Sequence, residues 1–459
     1  MQQACGIEAL TDAGITVRLM GQTGSADGGP SADELCVAGA LGCFEERSSY
    51  GLAQELRALP PEKKSQRLER LACETSGRGH GSVLDQAAFV FSLENIPRAA
   101  TLQLCLPEYL SHLQQSMRRA SADQGAYLPP SVLASPCRAQ VEDAVAAAFA
   151  FYEQACAAGV APEDARYPLP LAVRTHIQTL GGPRELMHLN AICRRPGVPS
   201  VAATVVQAMM ELAGSCAPHI MQERERSYDV RAWRPAAQLY GPGNALIARM
   251  VERYGARGGP VLADHGGAEL LPEEIEAAVR GDETQLANLK HLHFTFLLPL
   301  SINALHQAIR QHTWHHSLES IYTALQRGST VVPPSVRAAG LAGAMTSVHE
   351  LLAGLARDLP KKAGIPAADA VLLAPHSLMV YDLVHLDGWN VLHSLGKRLC
   401  TEAQWEIRAA ARGMAGELHR AESPMACRAL PQGVLYGVCP ERQPCGLCEK
   451  ILAGQQPAD

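Results

Sequence analysis

Four cysteines near the C-terminal end have the residue type and spacing that speak most directly of chemistry: Cys427-x11-Cys439-x5-Cys445-x2-Cys448. Thiolates suit Zn2+, and a set containing one C-x2-C pair could hold the ion tetrahedrally in a structural site. The spacing departs from that of a zinc ribbon, and free thiols are the alternative. No metal is assigned, and the four remain a candidate zinc set. His312, His315 and His316 are also spaced like ligands, but on a helix the adjacent pair would face different sides. The soft run Ala208-Met209-Met210 reads as core filler rather than a cofactor box.

The chain has 459 residues, with 40 Lys+Arg against 46 Asp+Glu, a formal charge of −6. Apolar residues make up 47% and charged residues 19%, which excludes a disordered polymer. A mildly acidic protein has no bulk attraction for nucleic acid or an anionic membrane, so neither is expected as a partner, and any anion must meet a local basic site. Length alone suggests two large domains or about three smaller ones at roughly 150 residues each. Apolar runs such as Ala144 to Phe151 fall short of the ~20 residues of a membrane helix. No Lys/Arg cluster precedes an apolar start, so a signal peptide is not expected. The 14 scattered Cys suit free thiols in a reducing cytoplasm.

A repeat organises the chain. Phe89-Val90-Phe91 is echoed by Phe294-Thr295-Phe296 at an offset of 205, and Pro129-Pro130-Ser131-Val132 by Pro333-Pro334-Ser335-Val336 at 204. Arg184 to Leu189 corresponds to Trp389 to Ser394 at 205, and Val17-Arg18-Leu19 to Val230-Arg231-Ala232 near the starts. A sustained offset predicts two similar domains, 1–222 and 223–459, fused head to tail.

Within each copy the pattern predicts an α+β fold, mostly helical with a small sheet. Ile15 to Leu19, Ala88 to Leu93 and Leu292 to Leu298 read as strands. Leu102 to Met117 and Ala304 to Leu325 have helix-period apolar spacing. Val141 to Ala157 and Ala403 to His419 read as Ala-rich helices.

Copy one carries Arg98-x4-Gln103, Leu106-Pro107-Glu108, Ser111, Gln114, Ser116 and Arg118. It also carries His80-x-Ser82-x2-Asp85, Ala165-Arg166-Tyr167-Pro168-Leu169-Pro170 and Arg184-Glu185-Leu186-Met187-His188. Copy two carries Gln307, Arg310-Gln311-His312, Ser320 and Ala403-Gln404-Trp405-Glu406-Ile407-Arg408. In order and spacing the set resembles the flavin-dependent thymidylate synthases (the ThyX family), marked by S-R-x4-Q, R-H-R-x2-S-x-N-E-x-S-x-R-Y, H-x-S/T-x2-E, A-R-x2-L-P and A-Q-x-E-I-R. The resemblance covers nearly the whole chain, twice.

It implies two tandem ThyX-like copies forming an intramolecular pseudo-dimer, with two chains rebuilding a pseudo-tetramer. It implies one-carbon transfer to C5 of a pyrimidine nucleotide, with FAD as cofactor and 5,10-methylenetetrahydrofolate and NADPH as co-substrates. Gln103, Gln114, Ser116, Arg118, Arg166, Arg310 and Arg408 stand at substrate-binding positions. His80, Ser82, Asp85, Arg184, His188, Gln311 and His312 stand at flavin-contacting ones.

The departures are complementary. Copy one has lost the arginines of R-H-R and has no A-Q-x-E-I-R, since Val201 to Met210 is apolar. Copy two has Tyr322 for the S-x-R arginine, Val371 for the A-R-x2-L-P arginine, and Gln285, Ala287 and Lys290 for the H-x-S-x2-E trio. In the family those halves come from different subunits. Copy two keeps one half as Arg310 and Arg408; copy one keeps the other as Ser116, Arg118 and Arg166. One hybrid site per chain is therefore expected, with a degenerate second. Desolvated phosphate needs charge-assisted donors, and Arg supplies a planar fork that Lys does not. Gln114 in place of the family's Glu and Arg119 in place of its Tyr leave the acceptor open, with UMP or a related ring as alternatives to dUMP. The alternative in a different class is an inactive relative that binds nucleotide or flavin as a sensor.

Overall fold

A computed structural model describes residues 8–11, 14–24, 29–78, 80–118, 124–222 and 235–454. The Val230-Arg231-Ala232 block and Arg119 lie outside them. The chain divides into two compact units, each containing a segment from the other half of the sequence. Unit 1 comprises 1–152, 169–236 and 354–374, and unit 2 comprises 153–168, 237–353 and 375–459.

Unit 1 is built on an antiparallel sheet of order β1-β2-β3-β5-β4, formed by β1 (Glu8–Thr11), β2 (Ile15–Gln22), β3 (Phe89–Pro97), β4 (Ser111–Gln114) and β5 (Arg174–Gly181). Ile15, Val17 and Leu19 of β2 and Phe89, Phe91 and Leu93 of β3 are buried at every second position, as a half-buried strand requires. Helix α1 (Ala32–Leu41) starts at a capping box, where Ser31 Oγ accepts from the Glu34 amide at 3.2 Å and the Ser31 amide donates to Glu34 Oε2 at 2.9 Å. It buries Val37 against Leu52 and Leu56 of α2 (Ser49–Ala58) and Leu68 of α3 (Pro61–Glu74). After β3 the chain enters α4 (Arg98–Leu104); α5 (Arg138–Ala157) follows later, and α6 (Pro183–Cys193) and α7 (Ser200–Cys216) close the unit. Helix α7 packs on α4 and β2.

Unit 2 repeats the scheme with the order β6-β7-β9-β8, formed by β6 (Val261–Gly267), β7 (Leu292–Ser301), β8 (His315–Leu318) and β9 (Met379–Asp387). The repeated Phe-x-Phe blocks occupy corresponding places in β3 and β7, each paired on both sides. Helix α8 (Ala245–Tyr254) lays Ile247 on Leu297 and Leu383, α9 (Ile302–Ala308) follows β7, and α11 (Trp405–Arg420) packs on β6, β7 and α9. The long helix α10 (Ala342–Lys362) and helix α5 carry the chain into the exchanged segments, Gly354–Ala374 and Glu153–Pro168.

The helices expected over Leu102–Met117 and Ala304–Leu325 do not form as such. Helix α4 ends at Leu104, Pro107 could not continue it, and Ser111–Gln114 pairs with β5 instead. In copy two α9 ends at Ala308, β8 pairs with β9, and a separate helix spans Ile321–Arg327. Four-residue edge strands carry too little alternation to outweigh the helical spacing around them. His315 and His316 therefore alternate across a strand. His315 stacks 6.1 Å from the His385 ring, while His316 Nδ1 lies 2.7 Å from Asp382 Oδ2 on the other face. Among the described residues no helix is long and apolar enough to cross a membrane.

Candidate active site

The exchanged segment 153–168 brings Arg166 of the first copy into unit 2, where the Ala403–Arg408 stretch of the second copy also lies. Arg166 caps a short helix, Pro162–Ala165, and is 4% exposed, with Nε donating to the Glu163 carbonyl at 3.1 Å. The next residue, Tyr167, is fully buried. Its ring stacks on Trp405 at 6.1 Å and its hydroxyl donates to Glu406 Oε2 at 2.7 Å. Ser301, at the end of β7, donates to the same carboxylate twice, from its amide to Oε1 and from Oγ to Oε2, each at 2.6 Å.

Gln404 caps α11 by accepting from the Glu406 amide at 3.0 Å, and its Nε2 donates to the Tyr167 hydroxyl at 2.6 Å. Arg408, in the first turns of α11, donates from Nη1 to the carbonyls of Thr401 and Ala403 at 2.9 and 3.4 Å. Burial pushes the Glu406 carboxyl up, while Ser301, Tyr167 and the Arg166 charge pull it down. Burial and the Glu406 charge push the Tyr167 phenol well above its ordinary value. Asp164, two residues before Arg166, accepts from Ser335 Oγ at 2.5 Å.

The other expected substrate residues divide between the units. Arg310 and Gln307 are in unit 2, and Arg310 is half-buried just past α9, the helix that packs on α11. Gln103, Gln114, Ser116 and Arg118 are in unit 1. Gln103 is buried on α4, Gln114 Nε2 donates to Thr101 Oγ1 of the same helix at 2.9 Å, and Ser116 Oγ accepts from the Arg118 amide at 3.2 Å.

Three of the flavin-position residues of copy one, Asp85, Arg184 and His188, line a cavity of about 290 Å3 in unit 1, together with Glu108, Tyr109 and Glu185 among others. Arg184 Nη1 lies 3.7 Å from Asp85 Oδ2, and it passes so close to Gly81 that a Cβ there would sit 3.1 Å from the guanidinium. Burial, with the Arg195 and Arg184 charges, holds His188 down at about 4, so it is neutral near pH 7. His80 and Ser82 are exposed on the turn that carries Asp85 and do not line the cavity. Gln311 and His312 are in unit 2, where His312 is exposed. At the positions matching Arg184 and His188, copy two has Trp389 and His393, whose rings stack 4.6 Å apart.

Of the candidate zinc set, Cys427 is exposed and Cys445 Sγ accepts from Thr401 Oγ1 at 2.9 Å. The Cys448 thiol is pushed up by burial and by Cys439, Cys400 and Cys445 near it. Among the described residues, no three His, Cys, Asp or Glu stand where they could hold a metal ion. Sequence reasoning passed over Tyr167, Ser301, Gln404 and Glu406 as site residues. Tyr167, Gln404 and Glu406 stand inside the A-R-x2-L-P and A-Q-x-E-I-R stretches that carry the resemblance, and a charged Glu406 lies between the apolar Trp405 and Ile407.

The thymidylate synthase complementing protein family model matches residues 26–219 and 276–424, so the chain belongs to that family. The flavin-dependent thymidylate synthase of Geobacter sulfurreducens is 36% identical over 150 residues, which are 32% of this chain and 64% of that protein. That of Thermococcus onnurineus is 35% identical over 127 residues, 26% of this chain and 52% of that protein. The chain thus spans between half and two thirds of the length of these relatives. Among solved structures, a UMP/dUMP methylase of Streptomyces cacaoi bound with 5-Br dUMP matches with a TM-score of 0.38 and 18% identity, over 45% of this chain and 93% of that one. A Helicobacter pylori flavin-dependent thymidylate synthase complexed with FAD and dUMP matches with a TM-score of 0.29 and 15% identity, over 38% of this chain and 99% of that one.

Proposed function

We propose that this chain is a flavin-dependent methyltransferase of the thymidylate synthase type. It carries a one-carbon unit from 5,10-methylenetetrahydrofolate to C5 of a pyrimidine nucleotide, with NADPH as reductant, at one site per chain. The observation that carries the reading is the placement of Arg166 and Arg408, from different copies of the repeat, in one unit. Two guanidinium groups in a partly desolvated setting suit a monophosphate, which carries close to two charges. Arg310 would join them. Ser116, Arg118, Gln103 and Gln114, in unit 1, stand at the remaining substrate-binding positions of the family pattern.

At the flavin positions of the unit 1 cavity, Arg184 is a cation able to face the flavin diphosphate and neutral His188 a flat ring that can meet an adenine, while Asp85, Glu108 and Glu185 line the same cavity with the opposite charge. Asp85 would orient Arg184. When bound, the flavin supplies the hydride. The protein's own residues bind, orient and exclude water.

In the test, purified protein is given dUMP, methylenetetrahydrofolate and NADPH, and dTMP is quantified by mass spectrometry. Arg166→Ala and Arg408→Ala should each lower turnover at least 100-fold, since loss of a desolvated charge-assisted pair costs about 3 kcal/mol. Ala203→Ser, at the copy-one position matching Arg408, should stay within twofold. Wild-type protein that binds dUMP and FAD yet makes no product would favour a sensor.

A further inference from the structure

Unit 2 buries a carboxylate beneath three donors. Glu406 is 7% exposed and accepts from the Ser301 amide, the Ser301 hydroxyl and the Tyr167 hydroxyl. The direction of each bond is fixed by the inventory of protons. Gln404 Oε1 takes the amide protons of Glu406 and Ile407, which leaves its Nε2 to donate to the Tyr167 oxygen. Tyr167 has a single proton, and it goes to Glu406. Ser301 Oγ accepts from the Ala304 amide at 3.1 Å and gives its own proton to the carboxylate. Every partner of Glu406 is therefore a donor, which favours the ionised form, although burial outweighs them and holds the carboxyl above its ordinary value.

Stability alone is a weak reason for such a web. A buried charge costs several kcal/mol unless compensated, and a well-packed apolar replacement is often equally stable. Unit 1 contains that replacement. At the matching positions it has Leu372 for Tyr167, Val201 for Glu406, Pro97 for Ser301 and Pro199 for Gln404, all buried. Pro97 lacks both donors that Ser301 supplies, so this corner of unit 1 keeps the fold without any web.

What unit 2 has and unit 1 lacks is the pair of arginines beside the web. Tyr167 directly follows Arg166, and Arg408 stands half a turn after Glu406 on α11. We propose that Glu406 is a positioning residue: through Tyr167 it sets Arg166, and through the start of α11 it sets Arg408, so that both guanidinium groups meet one phosphate monoester. This rests on the function proposed above, and it adds a role for a residue that need not touch the ligand.

Tyr167→Phe removes one hydroxyl and keeps the ring on Trp405; Glu406→Gln keeps the shape and removes the charge. Each is loaded with FAD and titrated with dUMP by calorimetry, alongside flavin content and thermal midpoint. The expected result is a Kd for dUMP at least tenfold weaker in both variants, with flavin content unchanged and the midpoint within about 3 °C for Tyr167→Phe. An unchanged Kd in Tyr167→Phe overturns the inference while leaving the function standing. A weaker Kd that comes only with parallel loss of flavin and a collapsed midpoint also overturns it, because the web would then serve the fold alone. Wild-type protein that binds no dUMP removes the function and this inference together.

Discussion

The same corner of the repeat is charged in unit 2 and apolar in unit 1. In unit 2, Arg166, Tyr167, Ser301, Gln404, Glu406 and Arg408 form one polar neighbourhood. In unit 1 the matching residues are Val371, Leu372, Pro97, Pro199, Val201 and Ala203. Yet one contact is kept in both: Asp164 accepts from Ser335 Oγ in unit 2, and Asp369 accepts from Ser131 Oγ in unit 1, each at 2.5 Å. In each pair the Asp comes from one copy and the Ser from the other. The contact that ties an exchanged segment into its unit has survived twice, whereas the groups suited to an anion have survived once. The scaffold and the site are separable, and the fold tolerates loss of the second while holding the first.

The sharpest way to break this comparison is to put the charge where unit 1 has none. Val201 is 3% exposed, and neither Pro97 nor Leu372 can donate to a carboxylate. Val201→Glu should therefore destabilise the protein by about 4 kcal/mol or bury a protonated acid, seen as a large fall in thermal midpoint that lessens as pH drops. Tolerance of that substitution at pH 8 would mean that unit 1 keeps a hidden polar corner.

Much of this was legible in the residues. The strand blocks around Phe89 and Phe294 showed because buried Phe alternates with less buried neighbours, and α5 and α11 showed as long Ala-rich segments. Arg166 lies in the unit that holds Arg408, although the two come from different copies. Three things were not legible. Strands β4 and β8 are fixed by pairing to β5 and β9, a long-range fact that four residues cannot announce. The exchange of 153–168 and 354–374 depends on which way the chain turns after α5 and α10. The importance of Glu406 depends on Ser301 and Tyr167, which are 105 and 239 residues away along the chain.

Acid offers a second, smaller contrast. His188 in unit 1 and His349 in unit 2 are both held at about 4, mainly by burial. Each is neutral in the fold and would bind a proton near pH 6.5 once unfolded, so the unfolded state gains protons first. Stability should be full above about pH 6.5 and fall as pH drops toward 4. His349 is 1% exposed, so its share approaches about 2–3 kcal/mol. His349→Gln, which can keep a bond to the Ser377 hydroxyl that now lies 2.8 Å from Nδ1, should flatten the pH dependence of the denaturation midpoint between pH 4.5 and 6.5. An unchanged slope would place the acid-sensitive group elsewhere.

The smallest effect tests the half of the comparison that is shared. Ser335→Ala and Ser131→Ala each delete one short hydrogen bond to a buried carboxylate, worth about 1–2 kcal/mol. The two losses should not be equal if the neighbours matter, and the geometry says which is larger. Asp369 also accepts from Ser200 Oγ, so unit 1 retains a donor after Ser131→Ala. Burial pushes the Asp164 carboxyl up, and Ser335 is the largest influence pulling it down, ahead of Trp405. Ser335→Ala should therefore cost more, by about 0.5 kcal/mol, in urea unfolding midpoints at pH 7, and the double variant should show additive losses because the two contacts share no residue. A larger loss from Ser131→Ala would mean that the Ser200 contact does not compensate, and that the two contacts are not equivalent parts of a repeated scaffold.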